Sequence, residues 1–182
     1  MSNPQPGKPR VVIVGGGAGG LELATRLGDK YGRRGKLDVT LIERNRTHVW
    51  KPKLHEIAAG SMDIAAHEVD YLAQSYWHRF RYRIGDMIGI DRERRRVQVA
   101  PYVDAEGREV TPNRVFEYDV LVVAIGSQNN DFGTPGVVDH AMKLESQTDA
   151  KRDGSCHCRL HRIFLSRISG QDHRVALWMR GR

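Results

Sequence analysis

The residues of this chain best suited to chemistry lie at Gly15-Gly16-Gly17-Ala18-Gly19-Gly20, directly after the apolar run Val11-Val12-Ile13-Val14. Glycines spaced G-x-G-x-x-G let an anion approach the backbone N–H groups at a helix start, so the chemistry they suggest is diphosphate binding. Each has a separate task. Gly15 turns the chain out of the strand, Gly17 has no Cβ to obstruct a pyrophosphate, and Gly20 lets the next helix lie close to the sheet. Ala18 and Gly19 complete the binding turn. An acid that accepts hydrogen bonds from ribose is expected about 20 residues later, and Glu43 stands 23 positions after Gly20. Arg44 follows it; this arginine is counted among the cofactor-binding residues but does not by itself decide between cofactors.

Such residues need elements to hold them. Val11–Val14 reads as a strand and Leu21–Leu27 as a helix. Leu37–Glu43, rich in β-branched residues, reads as a second strand ending on the acid. Strand, glycine turn, helix, strand and acid in this order point to an ADP-containing dinucleotide. The alternative is a ligand-free glycine turn with Glu43 as an ordinary solvated carboxylate. Further on, the continuous apolar run within Tyr118–Ser127 predicts a parallel strand buried on both faces, followed by a loop over 128–136. Gly126, at the carboxyl end of that strand, would let backbone come near a ligand.

Between these parts the pattern is weaker. Leu54 to Gly60 predicts a short helix. Residues 67–78 predict an amphipathic helix with Val69, Leu72, Ala73 and Tyr76 on one stripe. Phe80–Ile84, Met87–Ile90 and Val97–Val99 read as strands, with a hairpin-like turn around Asp104–Gly107. Together this middle region predicts a small antiparallel sheet inserted after the first βαβ unit.

Charge narrows the function classes. The chain of 182 residues has a net charge of +7, yet residues 1–150 hold 21 Lys and Arg against 20 Asp and Glu. The excess sits in residues 151–182, with 8 basic and 2 acidic side chains, which argues against a nucleic-acid-binding folded part. Arg92, Arg94, Arg95 and Arg96, interrupted by Glu93, read as a solvated hairpin rather than a phosphate stripe. Cys156 and Cys158 both lie in the tail, so the first 155 residues carry no thiol chemistry. With His157 and His161 they match no usual zinc spacing. No apolar run approaches the roughly 18 residues of a membrane span, and the N-terminus lacks a signal-peptide pattern. The expectation is a cytoplasmic protein whose membrane contact, if any, is peripheral.

Three segments together carry a family resemblance: the glycine fingerprint, His48-Val49-Trp50-Lys51-Pro52-Lys53-Leu54-His55-Glu56-Ile57-Ala58-Ala59-Gly60, and Ala124–Gly136. From about Val11 to Ala150 the chain resembles type II NADH dehydrogenase, a family of single-subunit flavoprotein NADH:quinone oxidoreductases. The resemblance implies an α/β Rossmann-like FAD-binding domain within the glutathione-reductase-like fold of two dinucleotide-binding domains. It implies FAD at the first fingerprint, NADH as substrate, quinone as acceptor, and peripheral attachment to the cytoplasmic membrane face, with a homodimer as a further possibility. Gly15, Gly17 and Gly20 would hold the pyrophosphate and Glu43 the adenosine ribose. Pro52 and Lys53 would lie toward the flavin ring, and Met87 would offer backbone to the adenine. Ala124 and Gly126 would close over the cofactor in the role of an alanine-threonine-glycine motif in which Ile125 replaces the threonine. The lack of cysteine after the second strand fits a quinone reductase better than a disulfide or sulfide:quinone reductase.

The resemblance stops where the composition shifts. The NADH-binding domain, with its second glycine fingerprint, has no counterpart here. Residues 1–150 are expected to be the FAD-binding part, and 151–182 an atypical basic tail translated out of frame after residue 152. A catalytically inert FAD-binding fragment is the alternative to an active oxidoreductase. A nucleic-acid- or metal-binding role for the tail is the third reading.

Overall fold

The computed structural model describes residues 7–104, 106–127, 132–136, 144 and 150. Cys156, Cys158, His161 and the rest of the basic tail lie outside the described residues, as do residues 128–131 of the loop over 128–136 and most of its continuation. In chain order the elements are β1 (Arg10–Val14), α1 (Ala18–Leu27), β2 (Asp38–Glu43) and β3 (Thr47–His48). Then come α2 (Leu54–Ala58), α3 (Ile64–His67), β4 (Val69–Asp70), α4 (Tyr71–Trp77) and β5 (Arg81–Ile84). Strands β6 (Met87–Asp91), β7 (Arg96–Val99), β8 (Tyr102–Val103), β9 (Glu109–Thr111), β10 (Arg114–Glu117) and β11 (Val120–Val123) complete the set. They fall into two compact units: residues 1–50 with 68–127, and residues 51–67 with the chain from 128 onward.

The first unit is built on a parallel sheet of order β11-β1-β2-β5. Alternation along β1 explains its central place. Val11 and Ile13 point to one face, where Ala24, Val39, Leu41, Tyr71 and Phe80 surround them. Val12 and Val14 point to the other, against Ile42, Val97, Val99 and Tyr118. A strand buried on both faces must be apolar throughout, and each such side chain adds about 1.5–3 kcal/mol by leaving water. The first face carries helix α1, whose buried Gly20 and Ala24 give it a flat surface to lay on the sheet. The second face carries an antiparallel sheet of order β10-β7-β6. Thr47–His48 and Val69–Asp70 pair as a separate short ribbon, and β8 pairs with β9 around the turn expected at Asp104–Gly107.

Three expectations need correction. Strand β5 does not join the antiparallel insertion: it pairs in parallel with β2, Thr40 opposite Arg81. Alternation identifies a strand but says nothing of its partner. Strand β11 is parallel to β1, as expected, but it is outermost in its sheet among the described residues. Val120 and Val123 each keep 51% of their surface exposed, so it is not buried on both faces. The helix of 67–78 begins only at Tyr71, because the Asp70 carboxylate accepts from the Ala73 N–H at 2.7 Å and caps it there. Its buried face is Tyr71 and Ser75, whereas Leu72 and Tyr76 of the expected stripe are exposed.

A charged cluster ties three strands at the amino end of β1. The Arg10 N–H donates to Asp119 Oδ2 at 2.7 Å, and its guanidinium reaches Glu117 Oε2 at 2.7 Å. Arg96 donates to the same Glu117 at 2.9 Å. Hydrogen bonds from Arg10 hold both carboxyls below their ordinary range. A depressed carboxylate adds stability above its unfolded value, near 4, and loses it as pH falls through the folded value. Arg10→Gln is therefore expected to lower the melting temperature at neutral pH. The gap from the parent should narrow as pH drops from about 5 toward 2, followed by circular dichroism.

In the second unit, Lys51–Lys53 form a single 3-10 turn that leads into α2, where Leu54 and Ile57 are buried. The expected helix from Leu54 ends at Ala58, and Gly60 follows at positive φ.

Candidate functional site

The glycine turn sits at the carboxyl ends of β1, β2 and β11. The Gly15 N–H donates to Ile42 O at 2.8 Å, and the Ala124 N–H donates to Val14 O at 2.7 Å. Gly15 has φ +101°, a region side-chain-bearing residues rarely adopt, and a Cβ there would collide with the carbonyl of Ala124. A Cβ on Gly20 would overlap the carbonyl oxygen of Gly15 and lie 3.4 Å from the Ala124 methyl. So Gly15, Gly20 and Ala124 form one close backbone packing. By contrast, a Cβ on Gly17 or Gly19 meets nothing within 4 Å. Two glycines thus serve packing, while two leave open space at the helix start.

That start is free of side-chain caps. Gly17 is the N-cap of α1, makes no side-chain capping bond, and no acidic residue occupies the first turn. The first N–H groups of a helix lack intrahelical partners, and the dipole favours an anion there. A diphosphate fits this donor set and this space.

Glu43 stands beside it. Its Oε2 accepts from the Gly16 N–H at 2.7 Å, and its Oε1 accepts from the Asn45 N–H and side-chain amide at 3.1 and 2.8 Å. The carboxylate is therefore fixed against the glycine turn. Arg44 points to Asp86, 3.8 Å away, with both side chains exposed. Ala18 and Gly19 lie exposed in the first turn of α1. Gly126, at φ +75°, has open space where a Cβ would be. Met87 pairs with Val99 and packs its side chain against the buried cluster of Val12, Val14 and Ile42. Pro52 and Lys53 belong to the second unit, where Lys53 Nζ lies 3.7 Å from Glu56 Oε2.

Sequence reading gave no role to four residues that shape this site: Gly16, Asn45, Tyr71 and Tyr82. The Tyr71 hydroxyl donates to Gly16 O at 2.6 Å, and its ring occupies the space a Cβ on Gly16 would need. Burial pushes the Tyr71 hydroxyl far above the usual phenol range, so it stays a donor. His48 Nδ1 lies 3.3 Å from the same hydroxyl, and burial lowers its pKa despite the charge of Glu43.

The model of one family, described as pyridine nucleotide-disulphide oxidoreductase, matches residues 9–155. The chain belongs to this family. Its fold is the Rossmann-like, FAD-binding α/β fold of these oxidoreductases, with the parallel sheet and antiparallel insertion that the sequence led us to expect. FAD is the cofactor of that fold. A type II NADH:quinone oxidoreductase from Haemophilus influenzae is 50% identical over 142 residues, which is 78% of this chain and 32% of the relative. One from Staphylococcus haemolyticus is 27% identical over 146 residues, 80% of this chain and 33% of the relative. The chain thus spans about a third of the length of these curated relatives. Among solved structures, NDH2 from Plasmodium falciparum in complex with NADH superposes with a TM-score of 0.68 at 20% identity. That match covers 87% of this chain and 30% of the other. The sulfide:quinone oxidoreductase of Aquifex aeolicus gives 0.67 at 21% identity, covering 85% and 32%. These two show the fold alone. Among the described residues, no helix is long and apolar enough to cross a membrane.

Proposed function

We propose that this chain is the FAD-binding part of a type II NADH:quinone oxidoreductase. The observation that carries the reading is the uncapped, open helix start at Gly17 with the Glu43 carboxylate held beside it. The 50% identity to the Haemophilus influenzae relative supports this assignment over the disulfide and sulfide branches of the family.

FAD, when bound, supplies the electron transfer from NADH to a quinone; such chemistry belongs to the cofactor. The protein's residues bind and orient it. Gly17, Ala18 and Gly19 present backbone to the diphosphate, Gly15 and Gly20 hold the turn that sets this helix start against the sheet, and Glu43 accepts from the ribose. Arg44 and Met87 serve the adenosine half, Pro52 and Lys53 the flavin half, and Ala124 and Gly126 close the site. Residues 1–150 are the binding region and 151–182 a tail read out of frame. Nucleotide sequence past codon 152 that continues into an NADH-binding domain in another frame would support that tail assignment. Peripheral contact with the cytoplasmic membrane face and homodimerisation belong to the same proposal.

The catalytic alternative and the inert-fragment alternative separate in one experiment. The purified chain, mixed with FAD, is expected to be yellow and to show the visible flavin bands. Bleaching by NADH, with quinone restoring the colour, would establish turnover. Bound flavin that NADH leaves oxidised would mark an inert binding fragment, and failure to retain FAD would remove the reading altogether.

A further inference from the structure

Around Glu43, hydrogen bonds and one stacked pair of rings close into a circuit. The Gly16 N–H donates to Glu43 Oε2, and the Gly16 carbonyl accepts from the Tyr71 hydroxyl at 2.6 Å. The Tyr71 ring stacks on Tyr82, centroids 5.4 Å apart and 20° from parallel. The Tyr82 hydroxyl donates to Asn45 O at 2.5 Å, and Asn45 donates twice to Glu43 Oε1. Both backbone polar groups of Gly16 and both oxygens of the carboxylate are thereby engaged. The stack spans 11 residues of sequence and the bond from Tyr71 to Gly16 spans 55, so no local turn produces the arrangement.

We propose that Tyr71 and Tyr82 are positioning residues for dinucleotide binding, which hold the Glu43 carboxylate in its ribose-accepting orientation before the cofactor arrives. The proposal rests on the dinucleotide reading above and deepens it. A carboxylate on a freely rotating side chain would have to be ordered on binding, at a cost in affinity. Here Gly16 and Asn45 hold it, and the tyrosines hold Gly16 and Asn45 from behind. Tyr71 is 2% exposed and fills the space over Gly16, so its own contact is with the turn's backbone.

The test is FAD titration of the full 182-residue chain, read by quenching of flavin fluorescence, with far-ultraviolet circular dichroism of each apoprotein as the folding check. Tyr71→Phe removes only the hydroxyl, and is expected to raise the Kd for FAD roughly five- to tenfold. In a Glu43→Ala background, where nothing is left to orient, the same change should alter the Kd by less than about twofold. Tyr82→Phe, which leaves the stack intact, should show the same dependence on Glu43 and serves if Tyr71→Phe does not fold. A loss of equal size in both backgrounds, or no loss in either, would overturn the positioning role while leaving the dinucleotide reading intact. A parent chain that binds no FAD would defeat that reading, and the inference with it.

Discussion

Gly20→Ala is expected to destabilise the apoprotein by about 3 kcal/mol or more, at the upper end of what overpacking costs. The new methyl would overlap the carbonyl oxygen of Gly15, which is backbone and cannot rotate away. Gly15 itself cannot retreat. Its N–H is bonded to Ile42, and a short step beyond it lies the Ala124 carbonyl. Relief would require α1 to lift from the sheet, which would uncover Ala24 and part of the cluster around Ile13. Domains of this kind are held by about 5–15 kcal/mol in total, so a substantial unfolded population should be visible at room temperature. Gly19→Ala is the control. It stands in the same helical turn with nothing within 4 Å of the added atom, and helix propensity favours alanine by about 1 kcal/mol. Urea unfolding of both variants decides the matter; equal midpoints would show that the close approach of helix and strand is not what requires glycine at position 20.

The contrast between these two neighbours shows what could be read from the sequence. The spacing of Gly15, Gly17 and Gly20 after an apolar run is a local signal, and it located β1, α1 and the turn. Glu43 was legible for the same reason, because it ends the next β-branched run at the expected distance. The placement of Gly16 was not legible, since its neighbour Tyr71 lies 55 positions away in sequence. Tyr71 was hidden by its own surroundings. Leu72 and Tyr76 form a more apolar stripe by spacing, yet they are 67% and 66% exposed, while Tyr71 turns inward to the carbonyl of Gly16. Strand β5 shows the same limit. Its residues say strand, but only β2 lying beside it makes the pairing parallel. Val120 and Val123 expose the opposite error, because an apolar run reports what a strand can bury and not how many neighbours it has.

Gly17→Leu should separate binding from folding. Gly17 has ordinary extended backbone, φ −60° and ψ −175°, and a Cβ there points into open space. The apoprotein should lose only about 0.5–2 kcal/mol, the range for replacing a good N-cap residue. FAD affinity should fall at least 100-fold, about 2.7 kcal/mol, since a leucine side chain would stand where the diphosphate must approach the first N–H groups of α1. The two quantities are measured independently, by urea unfolding of the apoprotein and by FAD titration. Their predicted inequality excludes the trivial explanation that binding fails because the fold has failed. The same titration on Gly19→Ala, whose added methyl is far smaller, should show a weaker loss. A leucine at position 17 that leaves FAD binding at the parent's strength would show that the diphosphate does not lie at this turn, and the orientation of Glu43 would then serve the packing of β2 rather than a ribose.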